Sequence, residues 1–221
     1  MRKAIIFAFF TALVIMLTAC GAKDEETVKA SLPWKVNAHS DNATHVLGVD
    51  VGSITFKELM FALQLLAEPA LFESKDGKLS LEAYFGKKKF GLLEARLVAE
   101  MDADDALLKK MLKEQVGRDA TPSNHWKYKL NVENTRLANE LNVWRLVYLP
   151  ISDYEIKQIK FFGEPEEIIK VNDTAQYNLY PSKGVAVLWD TDGKEVFYYV
   201  AKKDFERLKK SLPMKKLILS E

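Results

Sequence analysis

The chain has 221 residues, with 32 Lys+Arg against 31 Asp+Glu, 48% apolar residues and a single cysteine. A balance this close to neutral gives no general pull on nucleic acid, which binds through clustered basic charge. One cysteine excludes an internal disulfide and a zinc site built from several thiolates. The apolar share is that of an ordinary globular protein, long enough for one sizeable core or two small ones.

The N-terminus opens with the basic Met1-Arg2-Lys3 and continues with an uncharged apolar run, Ala4 to Leu17. This is the layout of a secretory signal. The run is shorter than the roughly 20 apolar residues that a spanning helix needs. It ends in Leu17-Thr18-Ala19-Cys20, which resembles the bacterial lipobox. The resemblance implies that residues 1–19 are removed and that Cys20 becomes the first residue, carrying a diacylglyceryl thioether and an acyl chain on its amine. Two or more acyl chains hold a protein stably on a bilayer, where one holds it marginally. Gly21 stands where an inner-membrane lipoprotein carries Asp, which implies an outer-membrane protein on the periplasmic side. Loss of Arg2 and Lys3 with the signal leaves 30 basic against 31 acidic residues.

Residues 20–45 read as the lipidated cysteine and a flexible tether, polar and without a helical or strand period. Trp34 is expected to pack back on the folded part. Helical periodicity follows at Phe56, Leu59, Met60, Leu63 and Leu66, with Ser53 as the N-cap and the helix ending near Pro69. Leu79–Phe85 alternates as a strand, and Gly91–Met101 supplies further strand. Asp102–Gln115 reads as a helix whose buried face is Leu107, Leu108, Met111 and Leu112. Its acids come first and its lysines later, as the helix dipole prefers. Strand-like NHWKYKLNV, a short helix ENTRLANEL and strand Val143–Leu149 come next.

The pattern then recurs. A short helix over Asp153–Phe162, with Ser152 as N-cap and Ile156, Ile159 and Phe162 on one face, runs into Gly163-Glu164-Pro165. Strand Ala175–Pro181 and a hairpin, Val185–Trp189 and Glu195–Val200 around Asp190–Gly193, complete it. At an offset of 96 residues, Glu68-Pro69 meets Glu164-Pro165 and Tyr84 meets Tyr180. The expected fold class is α+β: two related units of short helices packed on an antiparallel sheet, residues 46–120 and 121–221. Residues 151–212, carrying Gly163-Glu164-Pro165, the Tyr-rich strand and the Asp190–Gly193 turn, are similar to the small accessory lipoprotein of the outer-membrane β-barrel assembly machine. They also resemble the β-lactamase inhibitor protein fold. Both likenesses imply a protein-binding habit.

The chemistry-bearing residues form no recognised constellation. Asp190-Thr191-Asp192-Gly193 begins like a calcium loop but has its glycine two places early, and a hairpin turn accounts for it. His39, His45 and His125 lack helical metal spacing, and Glu166/Glu167 read as solvated acids. No catalytic residue, cofactor or metal is assigned, and the chain is read as a non-enzyme. Tyr177, Tyr180, Trp189 and Tyr198 are the candidate interaction face, because tyrosine-rich surfaces mark protein interfaces. Lys87-Lys88-Lys89, Lys202-Lys203, Lys209-Lys210 and Lys215-Lys216 are either a solvated rim or a contact with lipid phosphate near the anchor. The expected partners are the bilayer, through acylated Cys20, and another envelope protein, with no nucleic acid. The expected function is a protein-interaction or scaffold module at the periplasmic face of the outer membrane. The alternative is a binding module for a small amphipathic or glycan ligand.

Overall fold

A computed structural model describes residues 32–40, 42–122, 125–193 and 195–213. The signal, Cys20 and residues 21–31 of the expected tether lie outside the described residues.

The fold is mixed α+β. A ten-stranded antiparallel sheet forms its centre, with strands β4 (Pro69–Glu73), β5 (Leu79–Phe90), β6 (Leu93–Met101), β7 (Gly117–Ala120), β8 (Trp126–Lys129), β9 (Val143–Pro150), β10 (Glu167–Lys170), β11 (Ala175–Tyr180), β12 (Val185–Asp190) and β13 (Val196–Val200). Their order is β10-β11-β12-β13-β9-β6-β5-β4-β8-β7. From one flank the chain runs inward through β4-β5-β6, outside which β8 and β7 lie, and from the other through β10 to β13, and the two runs meet at β9. A three-stranded sheet, β1 (Asn37–Ser40), β2 (Ala43–Val46) and β3 (Val49–Val51), packs on the first face.

That first face carries the larger core. Alternation along β9 buries Leu146 and Tyr148 inside it while Arg145, Val147 and Leu149 face the other way. Over the core lie α1 (Phe56–Leu63), α2 (Asp105–Lys113), α3 (Val132–Glu140) and the short α4 (Ile156–Ile159), which contribute Phe56, Leu59, Leu108, Met111, Ala138 and Ile159. The second face is covered over β9 and β11–β13 by α5 (Phe205–Ser211), where Phe205, Leu208 and Leu212 pack on Tyr177, Leu179 and Tyr198.

Several expectations change. The tether is folded from Leu32 onward: Thr44 and Val46 are fully buried in β2, and the Tyr199 hydroxyl donates to the Pro33 carbonyl at 2.8 Å. Short strands with buried alternate residues evade a scan for long periods, which is why the segment reads as polar chain. Trp34 does pack back, edge-on to Tyr154 at 5.9 Å between ring centroids. The α1 cap is Thr55 rather than Ser53. Glu58 completes a capping box with it, accepting from the Thr55 amide at 2.9 Å. The helix ends at Leu63 with Gln64 left-handed, and Pro69 opens β4 instead of stopping a helix. The second short helix is one α-turn followed by a 3-10 turn, Lys160–Phe162.

Two glycines are required by their backbones. Gly163 sits at φ 90°, ψ −169°, a region essentially closed to residues with a Cβ. Gly184 (φ +67°) lies against β13 so closely that a Cβ would overlap the Val200 carbonyl and come within 2.6 Å of Thr44 Oγ1. Tyr84 and Tyr180 face opposite sides: Tyr84 is 53% exposed, and Tyr180 is in the first-face core.

Candidate functional site

The expected aromatic face does not exist as a surface. Tyr177 (0% exposed) and Tyr198 (5%) belong to the second-face core, Tyr180 (2%) to the first-face core, and Trp189 is half-buried against the first. They occupy two sides of the sheet, because adjacent positions alternate. The Tyr177 hydroxyl donates to the Pro213 carbonyl at 2.9 Å, and the Tyr180 hydroxyl to the Gly163 carbonyl at 3.3 Å. Burial pushes the Tyr180 and Tyr198 hydroxyls up to about 12 and raises Tyr177 as well, so all three stay neutral donors. Their role is to close polar ends inside the core.

Exposed apolar surface lies elsewhere. On α1, Phe56 and Leu59 face inward, which leaves Phe61 on the outer side at 87% exposure. Leu66, expected on the buried face, is also 87% exposed, because the left-handed Gln64 turns the chain before the period reaches it. Ile54, Met60, Phe61, Leu65 and Leu66 line an open groove of about 990 Å³. Lys57 and Glu140, 3.9 Å apart, stand at its edge. The groove sits at the end of the sheet where β9 begins: the Phe56 amide donates to the Leu141 carbonyl, and β6 at Met101 meets Val143. Sequence reasoning could have found Thr55-x-x-Glu58 as the helix start. With the cap at Thr55, Phe61 falls outside the inward stripe.

At that same end the second face holds a charged row. Glu82, Glu100 and Arg145 are cross-strand neighbours on β5, β6 and β9. Glu100 is 8% exposed and forms an ion pair with Arg145. Arg145 also donates to Ser211 Oγ at 3.0 Å, tying α5 to the sheet. Burial, and then the Glu100 charge, raise the Glu82 carboxyl above its ordinary range; Ser80 Oγ donates to it at 2.5 Å. Beside this row Arg207 lies 3.7 Å over the Trp144 ring and pairs with Asp102 at 2.6 Å. Glu100, Trp144 and Arg207 border a cleft of about 490 Å³. Each acid has a cation or a hydroxyl beside it, while Arg145 Nε and Trp144 Nε1 are buried without a hydrogen-bond partner.

The other marked acids and His45 have structural partners, while Lys215-Lys216 lie outside the described residues. Asp190 begins a hairpin turn in which the Asp192 amide donates to its Oδ1. Glu166 accepts from the Ser182 amide and hydroxyl, Glu167 pairs with Lys209 at 2.6 Å, and His45 Nδ1 lies 2.8 Å from Asp50. Among the described residues no group of three or more His, Cys, Asp or Glu is placed to hold a metal ion. No helix among them is long and apolar enough to cross a membrane. No family model matches the chain, and neither a curated protein nor a solved structure does.

Proposed function

We propose that the chain is a lipid-anchored envelope protein, held through acylated Cys20 on the periplasmic side of the outer membrane, and that it works as a non-enzymatic protein-interaction module. One observation carries the interaction reading: Phe61 and Leu66, both 87% exposed, line an apolar groove. Large apolar side chains clustered on an otherwise well-packed molecule mark contact surfaces. The anchor reading rests on Leu17-Thr18-Ala19-Cys20 behind the uncharged run.

We read the two flanks of the sheet as two related units. In each, a short helix (α1 or α4) leads to a strand (β4 or β10) from which the chain runs strand by strand toward β9, although β8 and β7 lie outside β4. The relation is one of path. At an offset of 96, Tyr84 falls on an exposed side and its counterpart Tyr180 in the core, so the residue registers differ.

A groove of this size and apolar lining is also within the range of small-molecule sites, which supports the second reading of an amphipathic ligand. One experiment separates the two. A photo-crosslinking residue is placed at Phe61 in the lipidated chain in cells, with Lys109, exposed on α2, as the control. The interaction reading predicts a discrete protein adduct from position 61 and none from 109. No protein adduct from position 61 overturns it, and a low-mass adduct there favours the ligand reading.

A further inference from the structure

We infer that the end of the molecule carrying the β5–β6 hairpin tip and the Trp34–Phe161 pair is a bilayer-docking surface, seated on the headgroups of the membrane that holds the anchor. The inference rests on the anchor reading above and deepens it by giving the module an orientation.

Three separate elements meet at this end. The first is the hairpin tip, where β5 and β6 turn at Gly91 and leave Leu92 93% exposed. The tip follows Lys87-Lys88-Lys89; Lys87 pairs with Glu94 at 2.6 Å, and Lys89 stands directly across from Glu94 on β6. The second is the 3-10 turn after α4, where Phe161 is 61% exposed. The third is the entry of the described chain at Leu32. Trp34, two residues on, stacks on Phe161 at 5.3 Å between centroids.

A continuous chain of contacts shows that these elements share one end. The Ile151 amide donates to the Glu94 carbonyl at 2.9 Å, and Phe90 lies 5.5 Å from Tyr148 between ring centroids. The Tyr148 and Tyr154 hydroxyls are 2.8 Å apart, and Tyr154 meets Trp34. The groove at Phe61 lies at the other end of β9, next to Val143.

The occupant is set by where the chain enters and by charge. Residues 21–31 separate Cys20 from Leu32. Eleven residues reach at most about 37 Å fully extended. An anchored Cys20 therefore keeps the end where the described chain begins close to the headgroups. The end presents Lys35, Lys87, Lys88, Lys89, Lys157 and Lys160 against Glu94, Asp153, Glu155 and Glu164, with Glu195 buried beside Tyr154. Two of those acids are already paired, Glu94 with Lys87 and Glu155 with Lys157. The surface balance is basic, and Lys side chains within a Debye length of an anionic surface are drawn to it. Exposed Leu92 and Phe161 and the half-buried Trp34 supply the apolar and interfacial contacts that such a surface takes.

The test uses the full lipidated chain. Acylation consumes the Cys20 thiol, so a cysteine introduced elsewhere is the only site for a thiol-reactive fluorophore. Leu92→Cys, Phe161→Cys and Phe61→Cys are labelled separately and reconstituted in phosphatidylethanolamine vesicles containing one-quarter phosphatidylglycerol and a spin-labelled lipid quencher. Mass spectrometry of Cys20 and flotation score the anchor independently. The inference predicts several-fold stronger quenching at positions 92 and 161 than at 61. It also predicts that replacing Lys87, Lys88 and Lys89 by Gln weakens quenching at 92 while flotation is unchanged. Flotation with equal quenching at all three positions overturns the inference and leaves the anchor standing. Absence of acyl chains on Cys20 overturns both.

Discussion

Replacing Arg145 by Met tests how the second face is held. Arg145 is the one cation against Glu100, and Glu82 sits on the next strand. The Arg145 and Glu100 side chains keep only 17% and 11% of their exposure, so water replaces little of a lost partner. Opposite charges about 4 Å apart interact by about 4 kcal/mol at an effective dielectric near 20. Removing one partner of a buried pair costs about 3–5 kcal/mol, because the other charge is left behind. The expected loss at pH 7.5 is in that range, with the Ser211 contact adding a smaller, pH-independent part. The loss should shrink toward pH 4.5. Arg145 lowers the Glu82 carboxyl, so removing it raises that group further and lets the site take up a proton sooner. Adding Glu100→Gln to the Arg145→Met chain should recover part of the loss at pH 7.5. Urea unfolding followed by circular dichroism at the two pH values measures all of this. A loss below about 1 kcal/mol at pH 7.5, or one equal at both pH values, refutes the reasoning.

Three further outcomes follow from particular side chains. Glu82 has a folded-state pKa above its unfolded one, so ionisation costs stability as pH rises through the folded value; Glu82→Gln should be more stable than the parent at pH 8 and no more stable at pH 4, read by denaturant midpoints. Gly163→Val should lower stability by about 1–3 kcal/mol through backbone strain, whereas Glu164→Ala on the same turn should stay within about 0.5 kcal/mol, both read from thermal melts. Trp34→Ala should cost about 2 kcal/mol, since Trp34 packs on Tyr154 and Phe161; a neutral result would return residues 32–45 to the status of a tether.

Much of the element map was legible in the sequence. Alternation of Leu81, Ala83 and Phe85 marks β5, the period of Leu108 and Met111 marks α2, and Asp190–Gly193 marks the β12–β13 turn, because each signal is local. The interaction face was not legible. Tyr177, Tyr180 and Tyr198 read the same whether they are covered or not; that α5 closes over Tyr177 and Tyr198 and the first-face core over Tyr180 is decided by tertiary packing. The groove was hidden for the opposite reason. A one-residue choice at Gln64, left-handed at φ 52°, ends α1 early and turns Leu66 outward, and no periodicity count registers that. The folded start at Pro33 depends on Tyr199, which lies 166 residues away.

The account stands on Cys20, and the most direct measurement is the mass of the N-terminal peptide of the mature protein isolated from cell envelopes. The account predicts a peptide that begins at Cys20 and carries a diacylglyceryl group on sulfur with a further acyl chain on the amine. A peptide that begins at any other residue, or an unmodified Cys20 in the mature chain, contradicts it.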